Sequence, residues 1–564
     1  MEKRKIKVGL LLDTFEVPAW AARLIENIAA SDFAEITLVV LNDNTEEVPA
    51  PNKALVSKLI NNRDRLGSVV VRKLLETAYS ALIERNTYLP DANQPINCES
   101  LIKHCPVIKA KTRRTTWCDY FYEDDIEAIR NLAPDLLFRC GFRILKGDIL
   151  SCAKYGVWSF HHGDNLTNRG GPAGFWESME SWPETGSILQ ILTEDIDNGA
   201  VLYRSHSCTN TMSVHDNVNN YYWKSLSFMQ RKIRELYDRG ESEFFSDVAF
   251  NNRHPVFYSE RLYRRPTNRE LARLTVNKII EKTKLLYTNA FFLDQWILLF
   301  HLKNEFSSSL WRYQKIIPPK DRFWADPHVI RRHNKYYIFI EEYLYSTQKG
   351  HIAVMEMDDD GCYSEPAPIL EAPYHLSYPF VFEHHNELYM IPESAENRTI
   401  ELYKCVEFPS KWEFQMNLME DVEAVDTTIY FQNNRFWMFT NLAENVGAST
   451  WDELFLFYSN TFPSRNWTPH PQNPVVSDCK SARPAGKLFL ENGRLYRPSQ
   501  NCSHHYGYGF NLNEITRLDD KAYAENVVSR VKPHWDQQIR GCHTFNREHS
   551  LHIIDAIYRR RKYL

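Results

Sequence analysis

The sequence predicts a multidomain protein with an α/β domain over residues 1–238, a linker containing a helix over 239–290, and an all-β five-bladed propeller over 291–564. In the first half, apolar runs of strand length alternate with segments of helical spacing, which is typical of a mostly parallel sheet covered by helices. In the second half, a unit of strand, tight turn and aromatic strand recurs five times at intervals of roughly 50 to 60 residues, the period of propeller blades.

The composition excludes several classes of protein. A hydrophobic share of 43% and a charged share of 25% are those of a globular protein, and the net charge of −5 gives no general attraction for nucleic acid. The longest apolar runs are far too short to span a bilayer, so we expect no membrane span. Eleven cysteines without a Cys-x-x-Cys pair predict reduced thiols in a cytoplasmic protein and no metal site. The oligomeric state stays open.

The α/β domain opens with a predicted strand over residues 5–13, a helix over 19–29 and a second strand over 36–41. This alternation is Rossmann-like, but no Gly-x-Gly-x-x-Gly turn follows the first strand, so a dinucleotide is not indicated. Further strands are predicted over 135–142, 157–162 and 187–193, with helices over 126–132 and 217–237.

Two of these strand ends carry unusual chemistry. Residues 159–165 read Ser-Phe-His-His-Gly-Asp-Asn, and residues 193–199 place three carboxylates in a turn. In open α/β sheets, ligands bind beyond the carboxyl ends of the strands. His161 and Asp197 therefore form a candidate proton-transfer pair, because a carboxylate orients an imidazole and raises its basicity. The alternative is a set of solvated loop charges.

The segment 159–170, followed by Thr185-Gly186 and the turn 195–199, resembles the folate-dependent formyltransferases over roughly residues 5–238. The resemblance implies transfer of the formyl group of 10-formyltetrahydrofolate to a primary amine, with His161 and Asp197 as the catalytic residues and without a metal. It implies a folate pocket lined by Phe142, Arg143, Ile144, Leu145, Thr193 and Asp195, and it places Arg169 toward the acceptor substrate.

One position departs from that family. Ser159 stands where the family has its catalytic asparagine, and the loss of a donor to an oxyanion lowers a rate by on the order of a hundredfold. His162, in the place of a family proline, is the candidate to compensate, with a histidine hydrogen-bonded within its loop as the alternative reading. A third possibility is a domain that no longer transfers formyl groups.

In a propeller the innermost strand of each blade faces the central axis, so the first residues of the five repeats are expected to form one polar ring. We expect residues 296–302 to close the ring by pairing with the last blade. The five ring residues are Asp326, Tyr378, Asp426, Arg483 and His543.

The second half resembles the propellers of arabinanase-like and fructosidase-like glycoside hydrolases. Its motifs at 324–327, 391–394 and 497–500 look closer to the N-terminal propeller of plant glucosamine inositolphosphorylceramide transferases. Glycosidases need two carboxyl groups of separated pKa, and Asp326, Asp426 and Glu393 are the candidates. The other ring residues are not acidic, so sugar binding or a scaffold is favoured over hydrolysis, and Arg483 with Asp426 alternatively forms only a buried ion pair.

Together these features predict an N-formyltransferase that takes its formyl group from 10-formyltetrahydrofolate and gives it to an amino sugar or glycan, with the propeller recognising the carbohydrate. The alternative is a glycoside hydrolase or glycan-binding protein that acts through the propeller funnel and carries a degenerate formyltransferase domain.

Overall fold

The computed structural model describes residues 3–44, 63–84 and 90–563, and the chain divides into two compact units. Unit 1 comprises Met1–Ser205, Thr209–Thr283 and Asn445–Ala448, and unit 2 comprises His206–Cys208, Lys284–Glu444 and Ser449–Leu564.

The stretch 239–290, predicted as a linker, belongs to unit 1 as far as Thr283. The physical reason lies in the apolar stripe of its helix. Leu274 is buried in one cluster with Trp176 and Met179, and Leu271 is also buried, so this part of the helix is packed against unit 1.

Unit 1 is built on a seven-stranded sheet with the order β13-β12-β10-β8-β1-β3-β5. Its strands are β1 (Ile6–Leu12), β3 (Ala34–Asn42), β5 (Val107–Ala110), β8 (Leu136–Arg139), β10 (Val157–His161), β12 (Glu184–Ile191) and β13 (Ala200–Cys208). Short strands outside this sheet are β2 (Glu16–Pro18), β4 (Pro95–Asn97), β6 (Thr112–Arg114), β7 (Cys118–Phe121), β9 (Ile144–Lys146), β11 (Arg169–Gly170) and β14 (Leu262–Tyr263).

The helices of the described residues lie along the chain between these strands. They are α1 (Ala19–Ala29), α2 (Arg63–Leu82), α3 (Glu99–Ile102), α4 (Glu123–Asn131), α5 (Phe175–Met179), α6 (Val214–Arg239), α7 (Glu241–Asn251) and α8 (Asn268–Phe291). None of them is both long enough and apolar enough to cross a membrane.

The continuous apolar run of β1 is explained by burial on both faces of the sheet. Leu10 and Leu12 belong to one hydrophobic cluster, whereas Leu11 belongs to a second cluster with Leu38 and Val40. Successive side chains of a strand point to opposite faces, so each face carries a core of its own. β1 pairs in parallel with β3 and β8, as the alternation in the sequence predicts.

The ends of β10 and β12 differ from the expectation. The two strands are antiparallel, with His161 opposite Ile188 and Trp158 opposite Ile191. Their carboxyl ends therefore lie at opposite edges of the sheet. The turn after β12, rather than the strand end itself, carries Asp197 back to His161.

Unit 2 contains five antiparallel sheets that follow one another in chain order, which makes it a five-bladed propeller. The first four blades are β17 (Arg322–Arg332), β18 (Lys335–Leu344), β19 (Lys349–Met357) and β20 (Ala367–Leu370); β21 (Ser377–His384), β22 (Glu387–Ser394), β23 (Thr399–Glu407) and β24 (Lys411–Glu420); β25 (Ala424–Gln432), β26 (Arg435–Leu442), β27 (Glu453–Ser459), β28 (Thr468–Pro469) and β29 (Val476–Ser477); and β30 (Phe489–Glu491), β31 (Arg494–Asn501), β32 (Gly509–Leu518) and β33 (Tyr523–Val531).

The fifth blade joins the two ends of the propeller. It contains β15 (Phe292–Leu302), β16 (Gln314–Ile316), β34 (Ile539–Gly541), β35 (Phe545–Glu548) and β36 (Leu551–Arg561). β15 pairs with β36 in an unbroken antiparallel register from Phe292 opposite Arg561 to Leu302 opposite Leu551. The predicted closure of the ring by the strand before the first repeat is thus confirmed.

Candidate functional site

A cavity of about 310 Å³ in unit 1 gathers most of the residues predicted there. The loop after β8, the end of β10 and the turn after β12 form its walls. The predicted residues that line it are Ile144, Leu145, Ser159, His161, His162, Thr193, Asp195 and Asp197, and Arg139, Leu192 and Ile196 also line it.

His161 and Asp197 lie side by side, with 3.3 Å between the imidazole Nδ1 and the carboxylate Oδ1. The other ring nitrogen, Nε2, is 2.7 Å from the carbonyl oxygen of Asn168, so it carries a hydrogen and donates it. Asp197 is held in its place because its Oδ2 accepts from the backbone N–H of Gly170 at 3.0 Å. Asn168 and Asp197 therefore hold the imidazole ring of His161 from its two sides.

Ser159 and His162 are held within the fold. The Ser159 hydroxyl, 1% exposed, lies 3.2 Å from the guanidinium Nη1 of Arg139 and donates to the carbonyl of Phe160. The His162 Nε2 is 3.1 Å from the hydroxyl of Ser225, and its ring packs edge-on against Tyr222 at 4.2 Å. Burial holds the pKa of His162 well below its usual range, so the ring is neutral.

Three predicted residues lie away from this cavity wall. Phe142 packs against Phe121 in the second hydrophobic cluster of unit 1. The guanidinium of Arg143 binds Asp119 at 2.6 Å, and that of Arg169 stacks over the ring of Tyr258 at 4.7 Å. Their charged or aromatic groups are thereby used for internal contacts.

A buried carboxyl group lies behind His161 that the sequence did not identify. Glu177 accepts a hydrogen bond of 2.6 Å from the side-chain amide of Asn168, the residue whose backbone carbonyl binds His161. The second oxygen of Glu177 is buried with no partner. Burial raises the pKa of Glu177 to about 7.

The five ring residues of the propeller converge at its centre, each 5% exposed or less. The hydrogen bonds between blades show the convergence directly. The backbone N–H of Tyr378 donates to the Asp326 carboxylate at 3.3 Å, and the Tyr378 hydroxyl bonds that of Thr428 at 2.9 Å. We call this convergence, together with the carboxyl groups that contact it, the funnel floor.

The first three ring residues share a backbone irregularity. Asp326, Tyr378 and Asp426 have φ values of 51°, 41° and 52°, in the left-handed region. At each of them the register between the first and second strands of the blade shifts, which marks a β-bulge. Such bulges re-aim side chains, and strain of this kind is concentrated at functional sites.

Arg483 joins two acidic residues across the funnel floor. Its guanidinium Nε binds the Asp426 carboxylate, and its Nη2 lies 3.3 Å from Glu393. Gln500 also donates to Asp426, at 2.6 Å. The predicted ion pair of Arg483 and Asp426 is therefore present, with Glu393 attached to it.

His543 bridges two aspartates. Its Nε2 is 3.2 Å from Asp326 and its Nδ1 is 2.8 Å from Asp555, so both nitrogens must carry hydrogens. Although burial alone lowers it, the two carboxylates raise the pKa of His543 to about 10. Ligand-type atoms of these three residues lie within 4.8 Å of one another.

Two further acidic residues, Glu341 and Glu393, lie beside the ring residues. Of the two, the sequence predicted only Glu393. Glu341 and Glu393 sit on the second strands of their blades, opposite Ala325 and Ser377. Burial first, and neighbouring carboxylates second, raise the pKa values of Glu341 and Glu393 well above their usual range. The sequence contains a signal that could have identified Glu341, because Glu341 and Glu393 each follow a ring residue by fifteen positions.

Partly exposed aromatic rings adjoin the floor. Tyr506 covers the guanidinium of Arg483 at 4.9 Å and lies 5.5 Å from Trp451. Trp296 packs on His543 at 4.2 Å. Aromatic faces beside a cluster of hydrogen-bonding groups are suited to the two surfaces of a sugar ring. Unit 2 is thus a five-bladed propeller with an acid-lined funnel.

Residues 316–559 match the family described as the N-terminal part of glucosamine inositolphosphorylceramide transferase 1. The rice (Oryza sativa subsp. japonica) protein named glucosamine inositolphosphorylceramide transferase 1 is 36% identical over 210 residues, which is 37% of this chain and 28% of that protein. The chain thus spans less than a third of the length of this relative.

Solved structures match parts of the chain. An exo-1,5-α-L-arabinanase from a bovine ruminal metagenomic library is 14% identical, covering 43% of this chain and 94% of its own, with a TM-score of 0.30. A glycinamide ribonucleotide transformylase from Symbiobacterium toebii is 10% identical, covering 42% and 89%, with a TM-score of 0.28. Neither match carries an argument about activity, because both TM-scores are under 0.5.

The predicted activity is corrected by these findings. The matched family and its curated relative are named for the transfer of glucosamine, a glycosyl transfer, and not for folate-dependent formyl transfer. At the predicted site, Ser159 stands where the formyltransferases have their catalytic asparagine, and its hydroxyl lies 3.2 Å from the guanidinium of Arg139. The predicted formylation of an amino sugar is therefore not supported.

Proposed function

We propose that the propeller acts on a carbohydrate, binding a sugar in its funnel and breaking a glycosidic bond with its carboxyl groups. The observation that carries this proposal is the pairing of unlike carboxyl groups at the funnel floor. Glu393 is held protonated by burial and by Asp426, whereas Asp326 accepts hydrogen bonds from His543, Thr544 and Tyr378 as a carboxylate does.

Two carboxyl groups in opposite states are what glycosidic cleavage requires. Glu393 would give its proton to the oxygen of the leaving sugar while the bond from that oxygen to the anomeric carbon breaks. Asp326 would take the proton of the water or acceptor hydroxyl that attacks the same carbon. Asp326 is preferred to Asp426 for this role because its contacts, at 3.2 to 3.3 Å, are longer than the shortest contacts of Asp426 with Arg483 and Gln500.

The name of the rice relative supports carbohydrate as the substrate class. That protein is named for transfer to inositolphosphorylceramide, and the chain spans only part of it. We therefore carry over a glycan or glycolipid, and no particular sugar, as the proposed partner.

A second candidate function is glycan binding without cleavage. Arg483 favours it, because its guanidinium contacts both Glu393 and Asp426 and so holds two of the acidic side chains in place. In this reading the funnel recognises a sugar, and the carboxyl groups accept hydrogen bonds from its hydroxyls.

The test is to incubate the full chain with a panel of glycosides and measure the release or transfer of sugar. We expect Glu393→Gln and Asp326→Asn each to lower turnover by roughly a hundredfold or more, because each removes one side of the acid–base pair. Glu383→Gln is the matched control, since Glu383 lies on the same blade as Glu393 and pairs with Arg332.

The outcomes separate the candidates. Turnover that survives Glu393→Gln would contradict the catalytic proposal. Binding of a glycoside without turnover in the unaltered protein would favour the second candidate. A propeller that binds none of the panel would contradict both.

A further inference from the structure

We infer that the funnel accepts neutral glycosides and rejects those that carry a carboxylate or phosphate group on the bound sugar. This inference rests on the proposed function and narrows its substrate class. It follows from the balance of charge at the funnel floor, where each cation of the described residues is already bound to acidic groups.

Arg483 is the first of these cations. Its Nε and Nη2 contact both oxygens of Asp426, and Nη2 also contacts Glu393 at 3.3 Å. The face of the guanidinium is covered by Tyr506. An anionic group on a sugar would therefore reach the Nε and Nη2 side of Arg483 only by displacing a carboxylate that is itself buried.

His543 is the second cation, and its two N–H groups donate to Asp326 and Asp555. Asp555 accepts further hydrogen bonds from the backbone N–H groups of Asp326, His543 and Thr544. The ring is also 2% exposed and lies beneath Trp296. Although the sequence placed His543 among the substrate-binding residues, its hydrogens are turned toward the protein.

The neighbouring basic side chains do not change the balance. The Nδ1 of His375 accepts a hydrogen bond from the backbone of Gly350, which a protonated ring does not do, and its Nε2 faces Glu341 at 3.4 Å. The ammonium of Lys487 donates to the carbonyl of Val329 at 2.9 Å and lines a cavity with Ile330 and Phe382, toward the other end of the inner strands.

The acidic groups therefore outnumber the cations. Asp326, Asp426, Asp555, Glu341 and Glu393 face Arg483 and His543, so the floor carries no net positive charge even with both glutamates protonated. A uronate or phosphate would be brought against like charges without a free cation, which is strongly unfavourable. Hydroxyl groups, in contrast, donate to carboxylate oxygens and accept from protonated glutamates.

The test compares matched pairs of oligosaccharides, neutral and either uronate-bearing or phosphorylated at the same ring, by isothermal titration with the full chain at pH 7. We expect the anionic member of a pair to bind roughly a hundredfold more weakly. Equal or tighter binding of the anionic member would overturn the inference while leaving the proposed function intact. Binding of neither member across the panel would contradict the proposed function and the inference together.

A substitution that removes a negative charge from the funnel floor should weaken the preference for the neutral oligosaccharide. Asp426→Asn keeps the shape of the side chain and removes one negative charge from Arg483, so the preference for the neutral member should fall by roughly tenfold. Asp359→Asn is the control, because Asp359 is half exposed and pairs with Arg331. A preference that Asp426→Asn leaves unchanged, in a variant that melts like the unaltered protein and still binds sugar, would contradict the charge argument.

Discussion

Glu177 shows how one buried residue affects the stability of unit 1. Its carboxyl group accepts a hydrogen bond from the side-chain amide of Asn168, and its second oxygen is buried without a partner. The backbone carbonyl of the same Asn168 binds His161. A protonated carboxyl tolerates this surrounding better than a carboxylate does, because burial penalises the charged form. The native state therefore retains this proton to a higher pH than the unfolded chain.

We predict that this group makes stability fall as pH rises. The pKa of Glu177 is raised from the ordinary glutamate value of 4.5 to about 7. Its contribution is therefore fully present below about pH 4.5 and is lost as pH rises through about 7. Urea unfolding between pH 4 and pH 8 should show this loss, and Glu177→Gln should remove it.

The control for this prediction is Glu180→Gln, which changes a nearby glutamate that is paired with Arg261. An unchanged pH dependence in Glu177→Gln would mean that the buried carboxyl is not the titrating group. A slope of the opposite sign would contradict the assignment of a raised pKa.

At the scale of the element, the hairpins of the blades explain why the propeller was predictable. The inner hairpins turn through His333-Asn334, His385-Asn386, Asn433-Asn434 and Asn492-Gly493, and all of these residues have positive φ. Two-residue turns of this kind match the twist of the strands they join and favour asparagine and glycine. Because the turn and its two strands are adjacent in sequence, the pattern repeats visibly in each blade.

The contacts between distant residues could not be predicted in the same way. Asp555 joins His543 and Asp326, which lies more than two hundred positions earlier. The bulges at Asp326 and Asp426 could not be predicted either. Both residues have left-handed φ values, which aspartate adopts only occasionally, so an aspartate in the sequence does not by itself indicate a bulge. In unit 1, local runs predicted the strands, but not that β12 is antiparallel to β10.

The turn geometry leads to a prediction for the first blade. Asn334 has a φ of 59° between β17 and β18. Asn334→Ala should lower the free energy of unfolding by about 1 kcal/mol, because a Cβ without a polar group disfavours the left-handed region. Asn334→Gly, which has no such penalty, serves as the control and should be no less stable than Asn334→Ala. Chemical denaturation followed by tryptophan fluorescence would measure the difference, and equal stability of Asn334→Ala and the unaltered protein would contradict it.

At the scale of the whole molecule, ring closure ties the beginning of the propeller to its end. β15 lies between β16 and β36, so Leu299 pairs with Lys315 on one side and with Ile554 on the other. An outer strand is paired on one side only, as β33 is in the fourth blade. Closure of a ring removes exposed strand edges. The stability of all five blades should therefore depend on this one internal strand.

We predict that Leu299→Pro destabilises the propeller as a whole. Proline lacks the N–H that a strand paired on both sides uses, and the buried carbonyl left without a donor alone costs about 1–3 kcal/mol. Hydrogen exchange should rise in all five blades, including those far from β15 along the chain. Val528→Pro is the matched control, because Val528 is half exposed on the edge strand β33, and its effect should stay within the fourth blade. Exchange that rises only in the fifth blade after Leu299→Pro would show that the ring does not depend on its closure.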